Sequence, residues 1–490
     1  MTGTTPPLVT TTRGPVRGER RADGSCRFLG IPYAQPPVGP LRFAAPVPPE
    51  PWTEPLDATA YGPTAQRRPF ADVTTIPEPS IPGDGVLNLN VFTPAPDADA
   101  ALPVLVWIHG GGYVAGSAAS PWYDGAAFNR DGVVLVSLGY RLGIEGFLHL
   151  DDAPDNRGVR DWIAALEWVR DNIARFGGDP AKVTIAGQSA GGGAVQTLLA
   201  VPSARDLFRG AISVSGAVMR PDGPEVARAV ARLFTARTGL PATAAALRDL
   251  GDDEILALQD RLGEPGPDRD REGLPPLLSL VPFADGELIP EPVLDALTTG
   301  GAGAGVPLML GFTAHEFNMM PTPTAGPDGE PVPLPLLLGG FGLDEVRAGA
   351  FSTAYADADP AGLFGQALTD ATFRAPSLAV ADARAERGEP TWLYQFDWTS
   401  PVNGQSFHCL DLPYAFDLLD AEGVTAAAGD NPPQDLADAV HRAWVSFVSE
   451  RNPGEQWPAY TSTGRATMLW NATPEVAEDP LKGVREIWLG

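Results

Sequence analysis

The chain has 490 residues, a formal net charge of −27 and 44% hydrophobic residues. That apolar content suits a globular core and not a disordered polyanion, and the charge would repel nucleic-acid phosphates over the whole surface. No run approaches 18 consecutive apolar residues, so no membrane-spanning helix is expected.

At the N-terminus, Met1–Thr12 carries neither a basic n-region nor an apolar core like that of a secretory signal. The two cysteines, Cys26 and Cys409, build neither a disulfide framework nor a zinc site, which fits a reducing cytoplasm. Asn471-Ala-Thr473 matches a glycosylation sequon but means nothing without export. The 55 glycines and 52 prolines indicate many loops, with proline dense over 32–55, 262–276 and 321–340.

Short β-branched runs that end in glycine or turn clusters predict strands at Val104–Ile108, Val133–Leu138 and Val183–Ala186. Ala211–Val214, Val306–Leu310 and Trp392–Phe396 continue the series, and continuous apolar strands of this kind suit a parallel sheet covered on both faces. Between the second and third, Val159, Ile163, Leu166, Val169 and Ile173 recur at helical spacing, predicting a helix from Val159 to Phe176. Gly177-Gly178-Asp179-Pro180 stops it, so strand, helix and strand form a βαβ unit. Alanine-rich stretches at 222–262 and 342–388 lack strand signals and read as helical insertions, about 222–276 and 321–388, forming a lid or rim. No internal repeat is apparent. Gly301-Ala-Gly303-Ala-Gly305 precedes a strand instead of joining a strand to a helix, so it reads as a flexible turn and not a nucleotide loop.

The sharpest local signal is Val183-Thr-Ile-Ala-Gly187-Gln188-Ser189-Ala190-Gly191, a strand running into Gly-x-Ser-x-Gly and then a helical segment, Ala194–Ala200. A nucleophile on a tight strand-to-helix turn needs small neighbours two positions to either side, and a helix N-terminus puts a backbone N–H and a positive dipole end beside its oxygen. The second signal is the strand end His109-Gly110-Gly111-Gly112-Tyr113, whose glycines leave backbone N–H groups clear of side chains. Gly111 and Gly112, with the N–H of Ala190, are the candidate oxyanion hole.

A serine hydroxyl needs a base, and the chain offers five histidines. His109 reads as holding the glycine loop in shape, and His149 as a surface or packing residue without an evident partner. His441 lies on the flank of a helical run, Leu436–Val448. His408, in a loop after the last strand, satisfies the chain order serine, acid, histidine. Glu316 follows the strand that ends Leu308-Met-Leu-Gly311, where an open α/β sheet collects its site, although spacing alone leaves it one of 61 acidic side chains. His315 is the competing base, but its neighbour Glu316 diverges from it too sharply for triad geometry. Ser215 could reach Glu316 or be a plain strand-end serine, and the plain reading is preferred.

Together these motifs resemble the type-B carboxylesterase family of the α/β-hydrolase fold, which also holds the cholinesterases. The likeness runs from Phe28-Leu-Gly-Ile-Pro-Tyr-Ala-Gln-Pro-Pro-Val-Gly-Pro-Leu-Arg-Phe43, Pro46 and Trp52 through Leu87-Asn-Leu-Asn-Val91, the His109 glycines and Tyr140-Arg-Leu-Gly143. Phe176-Gly-Gly-Asp-Pro180, the Ser189 elbow, the Glu316 turn, His408-Cys-Leu-Asp-Leu-Pro-Tyr-Ala-Phe416 and Trp457-Pro-Ala-Tyr460 follow in the family's order, over about 28–470. The resemblance implies Ser189 as nucleophile, His408 as base, Glu316 as acid, and Gly111, Gly112 and Ala190 as oxyanion donors. It implies no metal or cofactor.

The chain departs from the family at Gly83-Asp84-Gly85-Val86, where secreted relatives place a disulfide cysteine, and at Gln188, where many members have Glu. It departs again at His315-Glu316-Phe317, usually Asp-Glu-Gly, and at Trp162, usually Gln. The expected protein is one α/β domain over 1–490, with an N-terminal β-hairpin region at about 8–30 and a mostly parallel central sheet with helices on both faces. It would be a bacterial, cytoplasmic monomer or small homo-oligomer that cleaves small esters through an acyl-enzyme. Carbamate or amide hydrolysis through the same triad is the alternative, and a non-catalytic binding relative the remote one. No long apolar lid is evident, which disfavours an interfacial lipase, and the negative field favours neutral esters of short to medium acyl length.

Overall fold

In the computed structural model, the described residues are all but 1–5, 70–74, 219–221, 265, 267–278, 326–329 and 357–361. Among them, eleven strands join one sheet. In chain order these are β1 (Glu19–Arg20), β2 (Cys26–Pro32), β3 (Asn88–Thr93), β4 (Leu102–Ile108), β5 (Val134–Leu138), β6 (Gly178–Gln188), β7 (Gly210–Val214), β8 (Leu308–Thr313), β9 (Thr391–Phe396), β10 (Ala466–Trp470) and β11 (Glu475–Glu478). They lie side by side as β11-β10-β9-β8-β7-β6-β4-β5-β3-β2-β1.

The middle of the sheet, from β10 across to β5, is parallel throughout, whereas β11 at one side and β3, β2 and β1 at the other pair antiparallel. All six expected strands lie in the parallel part. Alternation sorts β4 between two cores: Val104, Val106 and Ile108 pack with Val159 and Leu166 on one face, and Leu105 and Trp107 with Trp444 and Phe447 on the other. Helices therefore cover both faces. β11, Glu-Val-Ala-Glu, ends one side with two exposed carboxylates, which blunts an otherwise open edge.

Several boundaries differ from the sequence reading. The expected N-terminal hairpin region divides: Leu8–Thr10 and Pro15–Arg17 form a hairpin in a small sheet with Leu56–Asp57, while β1 and β2 join the main sheet. The helix α1 covers Arg157–Asn172 and tightens into a 3-10 turn at Ile173–Phe176, closed by Gly177 at φ +91°. Gly178 does not only stop the helix; it opens β6 and pairs with Leu102.

The first insertion holds helices at Pro224–Thr238, Ala244–Leu247 and Asp252–Gly263, and most of its proline-rich end lies outside the described residues. The second holds helices at Leu334–Gly340, Glu345–Ala354, Leu363–Thr369 and Ala375–Glu386, with a π-helical turn at Asp370–Arg374. It also contains a two-stranded ribbon, Thr324–Ala325 with Glu330–Pro331, so it is not wholly helical. Residues 326–329 and 357–361 of that insertion lie outside the described residues. Among the described residues no helix is long and apolar enough to cross a membrane.

Candidate active site

β6 ends at Gln188, and the helix α2 (Ala190–Ala200) begins at the second residue after it, four residues earlier than the sequence reading placed it. Ser189 alone makes the turn, at φ 58° and ψ −121°, a backbone conformation that costs a non-glycine residue about 1–3 kcal/mol. Close approach is what requires the flanking glycines. A Cβ on Gly191 would stand 2.0 Å from the Ile108 carbonyl oxygen, and one on Gly187 would stand 2.3 Å from that of Gly191.

Beyond β4 the chain turns through Gly111 (φ +109°), Gly112 (φ +60°) and Tyr113 (φ +63°), and the Gly111 carbonyl accepts from the amides of Val114 (3.0 Å) and Ala115 (2.8 Å). His109 braces this loop. Burial pushes its imidazole down to about 4, and the neutral ring donates from Nδ1 to the Gly110 carbonyl at 2.8 Å. The ring stacks on Tyr140 at 4.5 Å, and the Tyr140 hydroxyl donates to the His109 carbonyl at 3.0 Å. Among the described residues, the amides of Gly111, Gly112 and Ala190 donate to no protein acceptor. Loop and elbow touch at Gly110, where a Cβ would come 3.1 Å from Ser189 Cβ.

The turn after β8 and the loop after β9 are held together along their backbones. His315 N–H donates to the Ser406 carbonyl (2.9 Å), Ser406 N–H to His315 Nδ1 (3.0 Å), and His408 N–H to the Glu316 carbonyl (3.0 Å). His315 is thus occupied in joining the two loops, and burial together with Arg374 lowers its pKa. Glu316, 1% exposed, accepts at Oε1 from Thr313 N–H (2.8 Å) and the Ser215 hydroxyl (2.6 Å), and at Oε2 from His408 Nδ1. Ser215 is therefore not a plain strand-end serine. It stands at φ +46°, with its N–H on the Gly311 carbonyl at 2.7 Å, and its hydroxyl meets the Glu316 carboxylate.

Burial alone would lower the His408 pKa, but the adjacent Cys409 sulfur and the Glu316 carboxylate hold it well above the ordinary imidazole range. Phe317 stacks on the His408 ring at 4.7 Å, and Phe373 packs beside it at 5.2 Å. Phe373 belongs to the π-helical turn, which is anchored by Arg374 to Asp370 (3.0 Å) and to the Ala314 carbonyl (2.6 Å). In the alanine-rich stretch 342–388, the aromatic and charged residues of 370–374 are the local signal that could mark Phe373.

Among the described residues Ser189 Oγ makes no hydrogen bond to His408; His408 Nε2 instead meets the side-chain amide of Gln188, at 3.1 Å. The other histidines are engaged elsewhere. His149, expected to have no partner, sits 2.8 Å from Asp155 Oδ1, which raises its pKa. His441 is buried, not on a flank, and bridges the Ala415 carbonyl (2.8 Å) and Asp131 (3.1 Å). Among the described residues no three His, Cys, Asp or Glu side chains gather as a metal ion would require.

The family model described as "Carboxylesterase family" matches residues 5–328 and 358–488. The chain is 36% identical to para-nitrobenzyl esterase of Bacillus subtilis (strain 168) over 493 residues, covering 96% of each chain. It is 33% identical to phenmedipham hydrolase of Pseudarthrobacter oxydans, covering 97% of each. Among solved structures, that of a thermophilic PNB esterase superposes with a TM-score of 0.85 at 34% identity, over 99% of this chain and 100% of that one.

Proposed function

The chain belongs to the carboxylesterase family and is a serine carboxylesterase of the α/β-hydrolase fold, and from that premise we propose that Ser189, His408 and Glu316 are its catalytic triad. The observation that carries the assignment is the Glu316 carboxylate seated on His408 Nδ1, which leaves Nε2 as the acceptor of the ring, at the Ser189 elbow beside the Gln188 amide.

In the first step Ser189 Oγ attacks the ester carbonyl and His408 Nε2 takes its proton. The amides of Gly111, Gly112 and Ala190, idle in the free protein, receive the oxyanion, each donor contributing on the order of 10²–10³ in rate. His408 then passes its proton to the departing alcohol. Water, activated by the same base, hydrolyses the acyl-enzyme. Glu316 accepts from Nδ1, holding the ring in one tautomer and stabilising the imidazolium.

The substrates are neutral esters with short to medium acyl chains, a preference supported by the −27 charge, which disfavours polyanions. Residues 1–490 act as one domain, in a reducing, cytoplasmic compartment of a bacterial cell. Two free, buried cysteines support the compartment. The likeness to a phenmedipham hydrolase gives phenmedipham a place in the substrate panel, beside an N-aryl carbamate and an amide that the same acyl transfer would cleave.

A fluorophosphonate probe tests the triad. Covalent labelling of the native chain, abolished in Ser189→Ala, is expected, and labelling that persists in Ser189→Ala overturns the assignment. Faster turnover of a long-chain triglyceride than of a short aryl ester overturns the substrate class.

A further inference from the structure

His408 has one lone pair to offer. Its Nδ1–H is committed to Glu316, so Nε2 is the acceptor. The Gln188 amide nitrogen stands 3.1 Å from that atom, and two nitrogens so placed form a hydrogen bond only when one donates. With the ring neutral, the donor is the amide. The position that a nucleophile's proton must enter is therefore filled by a neighbour of the nucleophile.

The contact is built in from several sides. Gln188 is 1% exposed and closes β6, where its backbone pairs with Val214. Its side chain lies over the oxyanion loop, and a Cβ on Gly110 would come 3.0 Å from Gln188 Oε1. The strand thus fixes where the side chain starts, and the base holds its amide nitrogen through one bond.

We propose that Gln188 is a positioning residue that occupies the His408 lone pair in the resting enzyme and, by turning its amide over, accepts Nε2–H once the imidazolium has formed. The proposal rests on the triad reading. A primary amide carries a donor and an acceptor on one carbon and no charge, so it can turn to either protonation state of the ring, but the bond it makes in the structure is to the neutral ring, which it therefore favours. A carboxylate at this position would accept only from the imidazolium and hold the base protonated. An apolar side chain would serve neither state. Gln188 gains and loses no proton: the Ser189 proton passes to Nε2 and then to the leaving alcohol.

The other titratable groups facing the ring are Glu316, Cys409 and Asp411. Burial and the nearness of Glu316 raise the Asp411 carboxyl to about 7, and it accepts from the Tyr394 hydroxyl at 2.9 Å. Glu316 and Cys409 favour the protonated ring, and donation from Gln188 to the neutral ring opposes them.

The test is the pH dependence of fluorophosphonate labelling, and of kcat/KM for a short aryl ester, in the native chain, Gln188→Met and Gln188→Glu. The limb that rises with pH is expected to move up by about 0.5 unit in Gln188→Met and by about 1 unit or more in Gln188→Glu. Limbs that coincide with the native one overturn the proposal. So does a plateau about a hundredfold lower with an unmoved limb, which would make Gln188 a shaper of the elbow. If Gln188→Met does not fold, as judged by its melting curve, the near-isosteric Gln188→Glu carries the test alone. Failure of the native chain to label overturns the triad reading instead, and so separates the two.

Discussion

The Ser215 hydroxyl donates to Glu316 Oε1 at 2.6 Å, and this bond divides the work of the carboxylate between its two oxygens. Oε1 is anchored, by Ser215 and by the Thr313 amide at 2.8 Å, so that Oε2 is free to face His408. Ser215→Ala would leave Oε1 with one donor. We expect kcat to fall about tenfold with KM little changed, and the fold to lose roughly 1.5–3 kcal/mol, the usual worth of a hydrogen bond to a charged group. Steady-state kinetics and thermal unfolding measure the two effects, and an unchanged kcat would show that the backbone alone orients the acid.

Glu316→Gln removes the charge at Nδ1. In the native chain His408, the proposed base, is held above the ordinary imidazole range, so activity should be lost as pH falls through that raised value. With glutamine, the rising limb of kcat/KM should move down towards about 6.5 while the plateau drops by roughly 10³–10⁴. The stability effect has the opposite dependence. A pKa raised on folding stabilises fully below about 6.5 and the contribution fades as pH rises through the folded value. The difference in unfolding free energy between native and Glu316→Gln should therefore shrink in alkaline buffer, which denaturant melts at several pH values would register.

What the sequence made legible is what local constraints write into it. The glycines of the elbow answer contacts of 2.0 Å and 2.3 Å, and the β-branched runs answer a sheet buried on both faces. The strand expected at Val306–Leu310 begins instead at Leu308, since Pro307 has no N–H to give to a ladder; its carbonyl still accepts from Ala211 at 3.0 Å. The contact of Ser215 with Glu316 spans 101 residues and exists only because β7 and β8 pair in parallel register, Val214 beside Gly311. Likewise, Phe373 reaches His408 through a π-helical turn, and the contact of Gln188 with His408 spans 220 residues. Motifs name the residues of the site; register and turn geometry decide which of their atoms meet.

Arg141 and Asp161 form a buried pair, 1% and 0% exposed, joined by Nη2–Oδ1 and Nε–Oδ2 bonds of 2.7 and 2.8 Å. The guanidinium also donates to the Ala44 carbonyl at 2.7 Å, tying the proline-rich N-terminal segment to the chain after β5. Asp161→Ala strands the guanidinium without a partner charge. The expected loss is about 3–5 kcal/mol, far more than for an exposed pair. Denaturant unfolding checks it, and the double variant Arg141→Met, Asp161→Leu should recover much of the loss if the stranded charge is the cause.

Gly111→Ala separates the proposed oxyanion donors from the proposed triad. At φ +109° an alanine is strained, and its Cβ would stand 2.3 Å from the Ala115 carbonyl atoms, so the loop must shift to admit it. Shifting the loop turns the Gly111 and Gly112 amides away from the elbow, but it leaves Glu316 and His408 on their own loops, held by bonds that residue 111 does not touch. Stabilisation of the tetrahedral intermediate should suffer and ground-state binding should not. We expect kcat to fall on the order of 10²–10³ with KM within a few-fold of native, and the pH limb set by His408 to stay where it is. A fall in kcat with a displaced limb would mean that the loop also positions the base. An unchanged kcat would remove Gly111 and Gly112 from the oxyanion hole altogether.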